Sequence, residues 1–280
     1  MTDPQKNTEH SLLLTDDQIA AKLITYDEMR AIYEHQLKSE PYVINVSKGE
    51  QSLVFIGAKH TNDPDDAQYP VMTQHWNTFL LKQSNQHKIA LVEGGLRRAV
   101  AEDAQSAIRN HGGEGGLLTF LATNVGIEVV SPEPDRKKEA DYLAATLGQD
   151  EVLLYYGLRQ LYQWDREGCI GDLKVTLEDL LAYYKQTYEW EFEPTYAFFS
   201  SLYEAKMGEP LDPNGIQRAA SLVSPTSHTS GINDTARMCS NYRDIHIAQE
   251  IQRLWHEGMS LFVVYGSGHS YRLEKFLKEL

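Results

Sequence analysis

The chain of 280 residues is 41% hydrophobic and 10% aromatic, enough apolar surface for a sizeable core and long for one compact domain. Its 40 acidic side chains against 26 basic ones give a formal net charge of −14, which repels phosphate backbones and anionic lipid and argues against nucleic acid or a membrane as partner. No apolar run reaches bilayer-spanning length, no basic-then-apolar leader opens the chain, and Cys169 and Cys239 have neither metal nor redox spacing, so the expected location is the cytoplasm.

Residues 1–14 are polar. The stretch TDDQIAAKLITYDEMRAIYEHQLK has helical spacing and aspartates placed as caps, which predicts one or two helices. YVINVSKGEQSLVFIG reads as a β-hairpin turning at Ser47–Glu50. An alternation follows: a helix from about Pro70 to Lys82, the strand KIALVE, helical sequence through Arg109, the glycine-rich HGGEGG, a helix LLTFLATN and the strand IEVVS. Residues 135–257 differ, with long helical patterns rich in Tyr, Leu and Trp, and a strand returns only at LFVVYG, ahead of a terminal helix. The pattern predicts one α/β domain over residues 1–280, with a mostly parallel central sheet flanked by helices. A helical subregion, 135–257, is inserted before the last strand.

In open α/β sheets, ligands bind beyond the carboxyl ends of the strands. Read to their ends, LVFIGAKH delivers His60, IALVEGG delivers Glu93, IEVVSPEP delivers Glu133 and LFVVYGSGH delivers His269. If these strands are parallel, all four groups meet at one edge. Two imidazoles and two carboxylates there make a candidate site for a divalent metal with positions left open for water. Singly, each has a plainer reading: a hydrogen-bonded strand-end histidine, a helix-capping Glu93, a solvated Glu133. The coincidence of the four carries the argument.

On the helix NYRDIHIAQEIQRLW, Arg243, Ile247, Ile251 and Leu254 share one face, so the guanidinium points inward and needs an anionic partner, either a site carboxylate or charge developing on a substrate. Asp244 and His246 read as helix-surface groups. Glu114, within HGGEGG, reads first as a helix cap and second as a site residue. His75 and His228 are weaker candidates, and Asp63, Asp65 and Asp66 read as a solvated acidic loop. P-loop, nucleophile-elbow and dinucleotide-binding glycine motifs are absent from the sequence.

At GAKH, LVEGG, YRDIHIAQEI and GSGH the sequence resembles the TraB/Tiki family, part of a wider group that includes the erythromycin esterase-like proteins. The resemblance runs from about residue 52 to the end, the helical middle matching only in character. It implies a metal-dependent hydrolase of a peptide or small-molecule ester, using Mn, Co, Zn or Fe, with His60, Glu93, Arg243 and His269 in the site. The family's Arg-Asn pair is Arg243-Asp244 in this chain. The expected roles are His60, His269 and Glu93 as metal ligands, Glu93 or Glu133 as general base, and Arg243 as oxyanion stabiliser. A non-catalytic protein binding haem, metal or a small anion in the same crevice, or a fold relative with an inactive site, are the alternatives.

Overall fold

The computed structural model describes residues 13–82, 87–96, 101–166, 171–211 and 217–280. Its sheet has five strands, β1 (Tyr42–Lys48), β2 (Gln51–Ala58), β3 (Lys88–Val92), β4 (Glu128–Val130) and β5 (Ser260–Gly266), in the spatial order β1-β2-β5-β3-β4. β1 and β2 form an antiparallel hairpin, while β2, β5, β3 and β4 run parallel. The last strand of the sequence therefore lies at the centre of the sheet, where both faces are covered. That placement is why β5, buried along its whole length, is apolar without alternation.

The helices in chain order are α1 (Asp16–Ala20), α2 (Tyr26–Glu34), α3 (Gln68–Leu81), α4 (Ala104–Asn110), α5 (Gly113–Asn124), α6 (Arg136–Leu147), α7 (Gln149–Arg166), α8 (Leu173–Tyr188), α9 (Tyr196–Met207), α10 (Gln217–Val223), α11 (Ile232–His256) and α12 (Ser267–Lys278). Four helix starts depart from the sequence reading. The caps of α1 and α2 are Thr15 and Thr25, each in a reciprocal box with Gln18 or Glu28, and the aspartates sit in the first turns instead. α3 starts at Gln68, which leaves Pro70 inside its first turn. α5 starts at Gly113, so the helix begins within the glycine-rich run rather than at Leu117.

One face of the sheet, with Leu53, Phe55, Leu261, Val263 and Tyr265, packs on Ile247, Ile251 and Leu254 of α11 and on Leu273, Phe276 and Leu277 of α12. The opposite face, with Val54, Ile56, Ala90, Phe262 and Val264, packs on Met72, Trp76 and Phe79 of α3 and Leu117 and Leu118 of α5. The chain divides into two compact units, residues 1–133 with 243–280, which hold the sheet, and residues 134–242. The second unit is helical among its described residues. Its own core includes Leu153, Leu154, Leu158, Leu181 and Phe199 and a set of buried tyrosines. There Cys239 is buried, its thiol 3.3 Å from Glu139 Oε1; Cys169 lies outside the described residues. Among the described residues, no helix is long and apolar enough to cross a membrane.

Candidate functional site

Because β2, β3, β4 and β5 are parallel, their carboxyl ends share one edge, and the pairing of Ala58 with Gly266 sets the ends of β2 and β5 side by side. The chain leaving β2 is fixed before it reaches His60. The buried Gln68 side chain both accepts from the Lys59 N–H (2.9 Å) and donates to the Lys59 carbonyl (2.8 Å). Beyond it, the Tyr69 hydroxyl donates to the Thr61 carbonyl. His60 emerges with its side chain about half exposed, at 48%. Its Nδ1 lies 2.5 Å from Glu114 Oε1. Glu114 reaches it because Gly113, at φ +60, brings the start of α5 against Thr61; a Cβ there would lie 2.3 Å from the Thr61 carbonyl oxygen. Glu114 is buried and is the orienting partner of His60, which corrects its first reading as a cap alone.

β5 delivers His269 on the first turn of α12, where its Nδ1 meets Asp244 Oδ1 at 2.6 Å. Asp244 is 1% exposed and also accepts from Arg272 Nε at 3.1 Å. Arg272 is held in turn by the Ile24 carbonyl and the face of Tyr26. The expectation of a surface Asp244 is therefore overturned: α11 turns it inward beside Arg243, and burial without these two cationic partners would be costly.

β3 delivers Glu93 to the centre of the group. Its Oε2 accepts the Gly266 N–H at 2.7 Å and lies 3.8 Å from His60 Nε2, while its Oε1 lies 3.5 Å from His269 Nε2 and 3.4 Å from Arg243 Nη2. Gly266 is required by this approach, since a Cβ there would fall 2.6 Å from His60 Nε2. Beyond β4, Glu133 receives Arg243 through Nε and Nη2, both at 3.1 Å, and accepts the Gly94 N–H at 3.3 Å. The inward guanidinium inferred from helix spacing thus meets two strand-end carboxylates.

The environments raise the pKa of both histidines. The hydrogen bond to Glu114 raises the His60 pKa, burial opposes it, and the charges of Glu93 and Glu114 add to the rise. For His269 burial acts to lower the pKa, but Glu93 and Asp244 outweigh it and carry it to about 9. Burial acts to raise the Glu93 pKa, yet His269, Arg243 and His60 hold its carboxyl well below the usual range. Near neutrality Glu93 is held as an anion and His269 as a cation, and His60 is the more exposed imidazole of the pair. Glu93 is therefore poorly suited to the general-base role expected of it.

His75 lies on α3, and His228 lies between α10 and α11 in the helical unit; the group is made without them. In the acidic loop Asp66 pairs with Lys59 and caps the backbone of Gln68. Asp244 had a readable signal. Asp244, Ile247, Ala248 and Ile251 follow the same i, i+3, i+4, i+7 stripe, all of them buried. Glu114 had none that separates it from any acid in a first helical turn.

His60 Nε2, His269 Nε2 and the Glu93 carboxylate are a chemically suitable donor set for a divalent metal, and carboxylates behind both Nδ1 atoms are what metal-bound imidazoles use to fix tautomer and orientation. Among the described residues, however, no group of three or more His, Cys, Asp or Glu side chains has the geometry to hold a metal ion. A metal would have to displace the Arg243 contact to Glu93 and the proton on His269. No protein-family model, curated protein or solved structure matches this chain.

Proposed function

We propose that the strand-end group is the active site of a hydrolase acting on a peptide or ester carbonyl, with His60 as the general base. The observation that carries this is the contrast of the two histidines across Glu93: His60 half exposed and aligned by Glu114, His269 largely buried and cationic, sharing Glu93 Oε1 with Arg243. With Nδ1 bonded to Glu114, the His60 Nε2 lone pair accepts a proton from water as the water oxygen bonds to the carbonyl carbon. The carbonyl oxygen becomes an oxyanion, which the cationic His269 and Arg243 stabilise. The imidazolium of His60 then returns the proton to the leaving oxygen or nitrogen as the bond breaks, yielding an acid and an alcohol or amine. Two imidazoles in different settings, one half exposed and one largely buried, let one site supply a base and a positive charge together.

A second reading keeps the metal, favoured by the carboxylates behind both imidazoles. His60, His269 and Glu93 would hold a divalent ion, which would lower the pKa of a bound water and polarise the carbonyl. One experiment separates the readings. Purified protein is screened against ester and peptide libraries before and after chelation, with His60→Ala alongside. Loss of roughly a hundredfold or more in His60→Ala, with chelated wild type unaffected, supports the metal-free base. Activity lost on chelation and restored by Mn or Co supports the metal reading. No turnover by any preparation, with haem bound and its absorption shifted, would replace both by a binding function.

A further inference from the structure

Both imidazoles of the site have a buried carboxylate behind Nδ1. Behind His269 the arrangement continues. Asp244 presents Oδ1 to His269 Nδ1 at 2.6 Å, and its other oxygen, Oδ2, is taken by Arg272 Nε at 3.1 Å. His269 and Arg272 stand three residues apart on α12, so they share a face and close together on the carboxylate that α11 supplies. Arg272 is 4% exposed and is itself held from outside these two helices. The chain between α1 and the first residue of α2 does this. The Ile24 N–H donates to the Arg272 carbonyl at 3.3 Å, the Ile24 carbonyl accepts from Arg272 Nη1, and the guanidinium carbon lies 4.2 Å from the centre of the Tyr26 ring. One planar guanidinium thus joins Asp244 to the N-terminal chain with fixed angles between its bonds, which a lysine ammonium on a flexible stem does not reproduce.

The torsion that turns an aspartate carboxylate about its Cβ–Cγ bond is broad, so a carboxylate bonded through one oxygen keeps freedom to rock. An imidazole bonded to it rocks with it, and His269 Nε2, 3.5 Å from Glu93 Oε1, then leaves its line. Resting on the hydrolase reading above, we propose that Arg272 is a positioning residue for His269. By tying Asp244 Oδ2 to Ile24 and Tyr26 it fixes the plane of the carboxylate, and through the carboxylate the ring. The working machinery therefore reaches the chain around the start of α2, a segment that supplies none of the charged groups gathered at the strand ends. At 4% exposure Arg272 acts through Asp244 rather than on the substrate.

The test uses Arg272→Lys, which keeps the charge and loses the planar fork. A substrate-free readout is the proton NMR signal of His269 Nδ1–H in chelated protein, which a short bond to a buried carboxylate moves downfield and protects from exchange. In Arg272→Lys that signal should broaden or vanish, at a Tm within about 5 °C of the wild type. In the hydrolytic assay kcat should fall roughly tenfold or more with KM near the wild-type value, because alignment in the transition state is lost while substrate binding is kept. A purely structural Arg272 would lower the Tm and leave the signal and the turnover per folded molecule in place, and that result overturns the proposal. So does a raised KM at unchanged kcat, or a lowered kcat with the His269 signal unmoved. If Arg272→Lys does not fold, Tyr26→Leu decides. It removes only the ring over the guanidinium, and should broaden the same signal and lower kcat about threefold; no change in either overturns the proposal. If the wild type turns over no substrate, the hydrolase reading fails separately, while the His269 signal still reports whether Arg272 holds Asp244.

Discussion

At the scale of single residues, the site works by giving each charged group a partner that fixes its role. The contact between His60 Nδ1 and Glu114 Oε1, at 2.5 Å, does two things: it aims the ring and it raises its pKa. Replacing Glu114 by Gln keeps the shape and removes the charge. The His60 pKa should therefore fall, the rising limb of the pH–rate profile should move to lower pH, and the plateau should drop roughly tenfold as the base weakens. Ring NMR of His60 checks the first step without any substrate; an unmoved titration would show that Glu114 does not control this histidine. His60, Glu93, Glu133, Arg243 and His269 were legible in the sequence because each has a local mark, either the end of an apolar strand or a helix face. Asp244 had such a mark, the buried helix stripe it shares with Ile247 and Ile251, but was read as a surface group; Glu114 had none, because its role rests on a contact 54 residues away in the chain. An acid in a first helical turn has the same local pattern whether it caps the helix or clamps an imidazole.

At the scale of elements, the end of β5 and the start of α12 form the hinge point of the site. Gly266 ends the strand, caps the helix, donates to Glu93 and leaves room for His60. The obstacle to a side chain at this position is the tip of a half-exposed imidazole rather than backbone, so the fold can absorb it by moving His60. Gly266→Ala should therefore fold with a Tm within about 3 °C of the wild type while losing roughly tenfold or more in kcat, since a base displaced by an ångström loses most of its effect. A variant that unfolds, or that keeps full turnover, would mean that this crowding is not what positions His60. The paired Gly-x-x-His runs announced the two strand exits from sequence, yet the reasons for the glycines differ. Gly57 faces Ser270 on α12, whereas Gly266 faces His60 itself, and only packing between strands distant in sequence separates the two.

At the scale of the whole molecule, the alternation of strands and helices was enough to foretell a mostly parallel sheet with a helical stretch before the last strand. It could not foretell that this last strand enters the middle, between β2 and β3. That insertion is what sets His269 beside Glu93, and it gives the molecule a pH signature. His269 carries a pKa of about 9 against about 6.5 in an unfolded chain, because folding brings Glu93 and Asp244 around it despite the cost of burial. A raised folded pKa favours the folded state fully below about 6.5, and the advantage is lost as pH rises through about 9. Glu93 acts in the opposite range: its depressed pKa contributes stability above the usual carboxylate value of about 4.5, lost as pH falls towards its folded pKa. Chelated protein should therefore be most stable from about pH 5 to 6.5 and should lose stability on the alkaline side as pH rises towards 9. Denaturant midpoints measured from pH 5 to 10 check this. His269→Gln keeps a donor towards Asp244 but cannot take up the proton, so it should flatten the alkaline limb while leaving the acid limb in place. An alkaline limb unchanged by His269→Gln would remove His269 as the fixed cation of the site, and with it the division of labour between the two histidines.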